Sequence, residues 1–179
     1  MALTLDVGSG TSSLHTVRGN ICIDLCRRPQ NNPPNFICAD AHHLPFGNDT
    51  FDTVGIYEVI EHVESPVQCL REIHRVLKDT TALNLTTPNV FFWRVILKQM
   101  RGFPAVLSDT GHISCWSQAE MRNLLLNTGF TDILFRFTTL PLVFSPHKTL
   151  DRIAKLILPA GMSERNMMIT CVKTKDRSE

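Results

Sequence analysis

The residues with chemistry to offer fall at the ends of short apolar runs. Leu3–Val7 leads straight into Gly8, Ser9 and Gly10. Glycines at such a turn allow tight backbone geometry and let a ligand lie against main-chain N–H groups where a helix begins. The next run ends at Asp24, 14 residues after Gly10, and a carboxylate there can accept both hydroxyls of a ribose. Asp40, followed by Ala41, closes a third run, and Tyr57 with Glu58 closes a fourth. Glu61, His62 and His112 add side chains able to accept or donate a proton, histidine because it titrates near neutrality. Cys22, Cys26, Cys38 and His42 could be imagined as a zinc set, but most sit in or beside apolar strand-like runs, where buried thiols behave as small hydrophobes. No metal site is expected.

Elements must carry these residues to one place. Apolar runs alternate with helix-like stretches along the whole chain, the pattern of an α/β domain with a mainly parallel sheet. Seven strands are predicted, at Leu3–Val7, Asn20–Leu25, Asn35–Ala39, Phe51–Tyr57, Ala82–Thr86, Thr131–Thr138 and Met167–Lys173. ICIDL and FDTVGIY are apolar on both faces, as central strands are when helices cover both sides. Between them, Ser65 and Pro66 open a helix with an apolar side of Val67, Leu70, Ile73, Val76 and Leu77. Asn89 is expected to cap a helix over Val90–Arg101, and Ser117 with Glu120 forms a capping box for a helix ending at Gly129. Thr149–Leu158 is a further amphipathic segment bounded by Pro159. The stretches Arg27–Pro34 and Phe103–Trp116 read as loops, the second long enough to suggest a functional role. In an open α/β sheet ligands bind at the C-terminal strand edge, where the first four runs place their polar ends.

Composition bounds the class. With 179 residues, 43% hydrophobic and 20% charged, the chain is expected to form one domain with a buried core. Disordered, collagen-like and coiled-coil classes are excluded. The net charge of +1 hides an asymmetry: residues 1–89 carry 6 basic against 10 acidic side chains, residues 90–179 carry 12 against 7. The start, MALTLDVGSG, lacks a secretory pattern, and no apolar run approaches the ~20 residues of a membrane span. A reducing, cytoplasmic setting with free thiols is expected. No basic cluster with interleaved aromatics suggests nucleic acid.

The ordered motifs resemble the class I S-adenosylmethionine-dependent methyltransferases, in particular the type 11 group that includes quinone-biosynthesis enzymes. LDVGSGT is similar to that family's first motif, and ICIDL to its second strand with the ribose-binding acid. ADAHHLPFGNDTFDTV is similar to its D-A-x-x-L-P-F…F-D segment. YEVIEHVESP…LREIHRVLK and LTTPN resemble the fourth strand, following helix and fifth strand, and GHISCWSQAEMRNLLLNTGF resembles the H-x-x-x-[FW]-[ST] helix lead-in. The likeness covers about residues 3–139. It implies a Rossmann-like three-layer sandwich with a seven-stranded, mostly parallel sheet and one antiparallel strand. Residues 1–89 would form the cofactor half and 90–179 the substrate half of a single domain, 1–179.

Carried over by position, the resemblance implies S-adenosyl-L-methionine as cofactor. Gly8, Ser9 and Gly10 would receive its methionine part and Asp6 would hold the turn or the amino group. Asp24 would hold the ribose diol and Leu25 would pack on the adenine. Asp40 would face the adenine amino group, with the Ala41 N–H at a ring nitrogen, and Tyr57 and Glu58 would meet the aminocarboxypropyl chain. His112, Glu61 and His62 become the catalytic candidates, His112 first. A nicotinamide enzyme would share the glycine turn and ribose acid, but Ser12 stands where its third glycine belongs and the other motifs fit methyl transfer. A non-catalytic cofactor-binding or partner subunit is the alternative.

Two departures from the family and one further segment carry expectations. Thr80–Thr81 replaces the usual glycine pair before the fifth strand, so the turn there must differ. The chain begins almost at its first strand, so the upstream lid helices of the family are missing and a second copy is expected to complete the cofactor mouth. PNVFFWRVILKQMRGFP combines aromatics with Arg94, Lys98 and Arg101 in the basic half. That half is expected to receive a small-molecule acceptor, anionic or lipid-like.

Overall fold

A computed structural model describes residues 2–9, 20–25, 35–102, 111–138 and 148–175. The expectations for Gly10, Ser12, Cys26, the Arg27–Pro34 loop and most of the Phe103–Trp116 loop lie outside the described residues. Seven strands form a single sheet: β1 Thr4–Val7, β2 Ile21–Asp24, β3 Phe36–Cys38, β4 Phe51–Tyr57, β5 Leu77–Pro88, β6 Phe130–Thr138 and β7 Asn166–Lys173. Their order is β3-β2-β1-β4-β5-β7-β6. β1 to β5 run parallel, and β7 lies antiparallel between β5 and β6. This is the expected Rossmann-like, mostly parallel sheet with one reversed strand.

β1 is the topological switch point: β2 pairs on one side, β4 on the other. Chain direction therefore diverges from β1, leaving a crevice beyond its C-terminal end. The strands hold this arrangement through residues apolar on both faces. Val7, Ile23, Val54, Ile56, Leu83, Leu85 and Ile169 are all buried. Helix α1, Pro66–Val76, covers the sheet with Cys69, Leu70, Ile73 and Val76. Its first turn is capped by the Ser65 hydroxyl, which accepts from the Gln68 N–H. Helix α3, Gln118–Asn127, buries Met121, Leu124 and Leu125 and opens on the expected capping box between Ser117 and Glu120. It stops at Gly129, where φ reaches +90°.

Two elements differ from expectation. β5 begins at Leu77, immediately after α1, rather than at Ala82. The turn predicted to be unusual lies inside it: Thr80 takes φ +60° where glycine would be at ease, and the Thr81 hydroxyl donates to the Lys78 carbonyl at 2.6 Å. Helix α2 covers only Trp93–Met100, shorter than Val90–Arg101, because Asn89 caps an earlier turn instead. The Asn89 carboxamide oxygen accepts from the Phe91 N–H, and its amide donates to the carbonyls of Gly161 and Glu164. α2 buries none of its residues. Helix α4, Lys148–Ile157, matches the amphipathic segment, and a short turn of helix α5, Ala160–Ser163, follows it.

Candidate functional site

The crevice is built first by β1 and β4. Asp6 lies opposite Gly55 in the register and is buried. The Tyr57 ring folds back over Gly55, so closely that a Cβ there would sit 2.6 Å from the ring. Gly55 is thus what allows Tyr57 to lie along the strand toward Asp6. Burial raises the Tyr57 phenol above its ordinary pKa, and the Asp6 carboxylate raises it further. Past β1, Gly8 turns with φ +71°, and a Cβ on it would meet the Val59 side chain at 2.3 Å. The N–H groups of Gly8 and Ser9 both donate to the Ile23 carbonyl, at 2.9 and 3.0 Å. They brace β1 against β2. The Ser9 hydroxyl is buried without a hydrogen-bond partner among the described residues.

β2 and β3 supply the next wall. Asp24 closes β2 half-buried, and Leu25 beside it is 66% exposed, an apolar side chain left open at the strand edge. Past β3, one Asp40 oxygen accepts from the His42 N–H at 2.9 Å and from His42 Nδ1 at 2.7 Å. The backbone N–H and then the ring of His42 hold the Asp40 carboxyl below its usual range. His42 Nε2 in turn accepts from the Ser65 N–H at 3.1 Å, pinning this loop to the start of α1. The same loop is gripped by Arg75, which donates to the carbonyls of Leu44 and Phe46 and is itself paired with Glu72. Ala41 follows Asp40, half-buried.

Past β4 the chain gathers the acid–base candidates. Glu58 takes φ +54°, its N–H donates to the Thr86 carbonyl, and its carboxylate accepts from Asn166 Nδ2 at 2.9 Å. Burial raises its pKa, opposed by hydrogen bonds from Thr86 and Asn166. Glu61 is 1% exposed; one oxygen accepts from the Thr87 hydroxyl at 3.4 Å and the other, Oε1, has no partner among the described residues. Burial, and then the neighbouring Glu58 charge, push the Glu61 carboxyl up to about 8. The Glu61 carbonyl accepts from the N–H groups of Ile113 and Ser114 at 2.8 and 3.1 Å. That pair of bonds brings the distant His112 loop to the end of β4. His62 Nδ1 donates to the Gly111 carbonyl at 3.1 Å, and the rings of His62 and His112 stand 4.6 Å apart.

These strand ends are the arrangement of a known family. Residues 5–83 match the model of the type 11 methyltransferase domain. A demethylmenaquinone methyltransferase of Paenarthrobacter aurescens is 28% identical over 163 residues, 75% of this chain and 63% of that protein. A malonyl-[acyl-carrier protein] O-methyltransferase of Halorhodospira halophila is 24% identical over 172 residues, 86% of this chain and 56% of that one. The chain thus spans less than two thirds of the length of these curated relatives. In fold it is similar to a chain of the Haloferax volcanii complex between the Trm112 methyltransferase activator and a methyltransferase. That match has a TM-score of 0.67 and 16% identity, and covers 99% of this chain and 84% of that one. The chain is thus similar over residues 5–83, a little under half of its length, to the type 11 methyltransferase domain, and in fold to S-adenosylmethionine-dependent methyltransferases.

The cofactor of this methyltransferase family is S-adenosylmethionine, and the crevice offers groups that suit it. The Ser9 hydroxyl, without a partner among the described residues, the exposed Leu25 and the carboxylates of Asp24 and Asp40 lie at the C-terminal ends of three adjacent strands. They supply a hydroxyl for a polar chain, an apolar surface for a flat base, and acceptors for a diol and an amino group. Further round the same edge lies an open, largely apolar cavity of about 560 Å³, lined among others by Asn89, Phe91, Arg122, Phe137, Met162 and Met167. Sequence reasoning missed this cavity, and also Asn166, which orients Glu58. Neither has a local signal, because β7 and the α3–β6 unit reach the site only through sheet order.

Proposed function

We propose that this chain transfers a methyl group from S-adenosylmethionine to a small-molecule acceptor, anionic or lipid-like, entering from the basic half. The observation that carries the reading is the convergence of Asp6, Gly8 and Ser9, then Asp24 and Leu25, then Asp40 and Ala41, then Tyr57 and Glu58 on one sheet edge at the β1 switch point. Bound S-adenosylmethionine supplies a methyl group already activated on a sulfonium sulfur. The chain's own residues bind and orient. Asp24 accepts the ribose hydroxyls, Leu25 covers one face of the adenine, and Asp40, its carboxylate kept ionised by His42, takes the adenine amino group with the Ala41 N–H beside it. Ser9, Asp6, Tyr57 and Glu58 line the methionine end, with Gly10 in the same role.

Transfer is an in-line displacement: a lone pair on the acceptor forms the new bond to carbon while the carbon–sulfur bond breaks with its pair on sulfur. The protein's part is to align the acceptor and exclude water. Where the acceptor is an O–H or N–H group, its proton is handled by the Glu61, His62 and His112 group at the end of β4. The apolar cavity with Arg122 at its wall suits an acceptor with an apolar body and an acidic group. Two relatives are named for a quinone and an acyl-carrier substrate, which agrees with a body of that kind. A cytoplasmic homodimer completes the reading, and no helix among the described residues is long and apolar enough to cross a membrane.

Calorimetric titration of the protein with S-adenosylhomocysteine, with NAD as the control, tests the reading. Binding of the first alone is expected; binding of NAD alone, or of neither, overturns it. A second reading, a subunit that acts only with an activating partner, draws on the fold likeness to the Trm112 complex. Co-purification of a stoichiometric partner together with cofactor binding favours it.

A further inference from the structure

We infer that Glu61, His62 and His112 form a site for one divalent transition-metal ion of the Zn²⁺ or Fe²⁺ class, with an open side that takes an oxygen of the acceptor. This departs from the expectation, drawn from the sequence, of no metal. It rests on the proposed function only for what the open side receives.

One ligand atom from each of the three residues lies within 4.8 Å of the others. An ion with ligands at ~2.1 Å in tetrahedral array holds those atoms about 3.4 Å apart, so side-chain rotations of about an ångström close the set. The donors are right for a borderline metal: two imidazoles and one carboxylate favour zinc, iron or manganese over magnesium or calcium, which prefer oxygen alone. Glu61 supplies the independent sign of a missing ligand. Its Oε1 is buried with the rest of the side chain, 1% exposed, and has no hydrogen-bond partner among the described residues. A buried carboxyl oxygen left without a partner is costly, and a cation that displaces the carboxyl proton is a partner that repays it.

The surroundings are those that orient metal ligands. His62 Nδ1 is held as a donor by the Gly111 carbonyl at 3.1 Å, which fixes the tautomer and leaves Nε2 with its lone pair for an ion. The second Glu61 oxygen accepts from the Thr87 hydroxyl. The two bonds from Ile113 and Ser114 to the Glu61 carbonyl fix the loop that carries His112. Glu61 is buried, His112 half-buried and His62 exposed, so the triad closes on the protein side and opens toward solvent. Three protein ligands with a free position is the arrangement of a working site rather than a structural one. An acceptor hydroxyl bound at that position gives up its proton to water more readily than when free. The oxygen lone pair then forms the bond to the methyl carbon as the carbon–sulfur bond breaks.

The test uses the full chain stripped with EDTA and titrated with Co²⁺, followed by visible absorption, and with Zn²⁺ by calorimetry. One ion per chain is expected. Affinity should fall by roughly a hundredfold or more in His62→Ala, His112→Ala and Glu61→Gln, beyond the ten- to hundredfold typical of lost outer-shell partners. His43→Ala, on the exposed loop after β3, should bind as the parent does. Binding of S-adenosylhomocysteine, measured in parallel, should be unchanged in His62→Ala, whose side chain is exposed and whose removal the fold should tolerate. Absence of stoichiometric binding overturns the site, as does binding indifferent to His62→Ala and His112→Ala. Loss of S-adenosylhomocysteine binding by the parent protein overturns the cofactor reading and leaves the metal site standing.

Discussion

The rings of His62 and His112 lie 4.6 Å apart and tilted by 58°, although one follows β4 and the other precedes α3. What joins them is main chain: Glu61 offers its carbonyl to Ile113 and Ser114, and Gly111 offers its carbonyl to His62. Gly111 holds φ +73° in that bridge. Gly111→Ala strains the backbone by about 1–2 kcal/mol and should displace the carbonyl that His62 holds. Denaturant melts should report that loss, and Co²⁺ affinity should fall with it; unchanged cobalt binding would separate the loop from the site.

Glu61 should make stability depend on pH. Its carboxyl is raised from the ordinary 4.5 to about 8 in the folded protein, so between those values the native state holds a proton that the unfolded chain has released. Its contribution is fully present at low pH and is lost as pH rises through that window. In the metal-stripped protein, Glu61→Gln should therefore flatten the decline of Tm from about pH 5 to about pH 9, and be the more stable protein at the upper end by a few kcal/mol. Parallel Tm profiles for parent and variant would show that the carboxyl is ionised throughout.

Gly8 is held by space as well as by angle. A Cβ there meets Val59 at 2.3 Å on a backbone already at φ +71°. Gly8→Ala should cost on the order of 2–4 kcal/mol, strain and overpacking together. Gly8→Ala with Val59→Ala should recover the packing part but not the strain, which urea melts of the two proteins can separate.

Asp24 should matter for binding and little for folding, since it ends β2 half-buried at the open edge. Asp24→Ala should weaken S-adenosylhomocysteine by about tenfold or more, the worth of one or two hydrogen bonds to a charged acceptor. The melting curve should move little. Equal affinity in calorimetry would remove Asp24 from the ribose role.

Lys173 ties the far end of the sheet. It is 3% exposed, and its ammonium meets Asp49 at 2.6 Å, Asp79 at 3.2 Å and the Leu77 carbonyl at 2.8 Å. Burial acts to lower its pKa, but the two carboxylates outweigh that and leave it raised. Both aspartates are partly open to water, so the pairs are screened. Lys173→Met keeps the stem and should cost roughly 1–2 kcal/mol in denaturant melts. No loss would mean that the apolar stem alone supports β7.

The elements were legible where the signal is local. Ser117 and Glu120 named the start of α3 because a capping box closes within one turn. ICIDL and FDTVGIY named central strands because their pattern is apolar on both faces. The ends of β1 to β4 could be read in order because each polar ending directly follows its strand. The start of β5 and the length of α2 were not legible. The first depended on Thr80 accepting a left-handed backbone, the second on Asn89 being claimed by Gly161 and Glu164. Similar limits hid Asn166 and the role of His42, whose partners lie on other elements.

By itself the sequence determined which residues end the strands, and hence the likeness to a methyltransferase domain over residues 5–83. Strand ends follow from alternation and capping, which act over a few residues. Only the tertiary structure decided that Glu61, His62 and His112 share one corner, that Asn166 reaches Glu58, and that the Gly8 and Ser9 N–H groups both donate to the Ile23 carbonyl of β2. Those contacts join residues far apart in the chain. They are fixed by the order of strands in the sheet and by the buried polar groups that must find partners once the strands have packed.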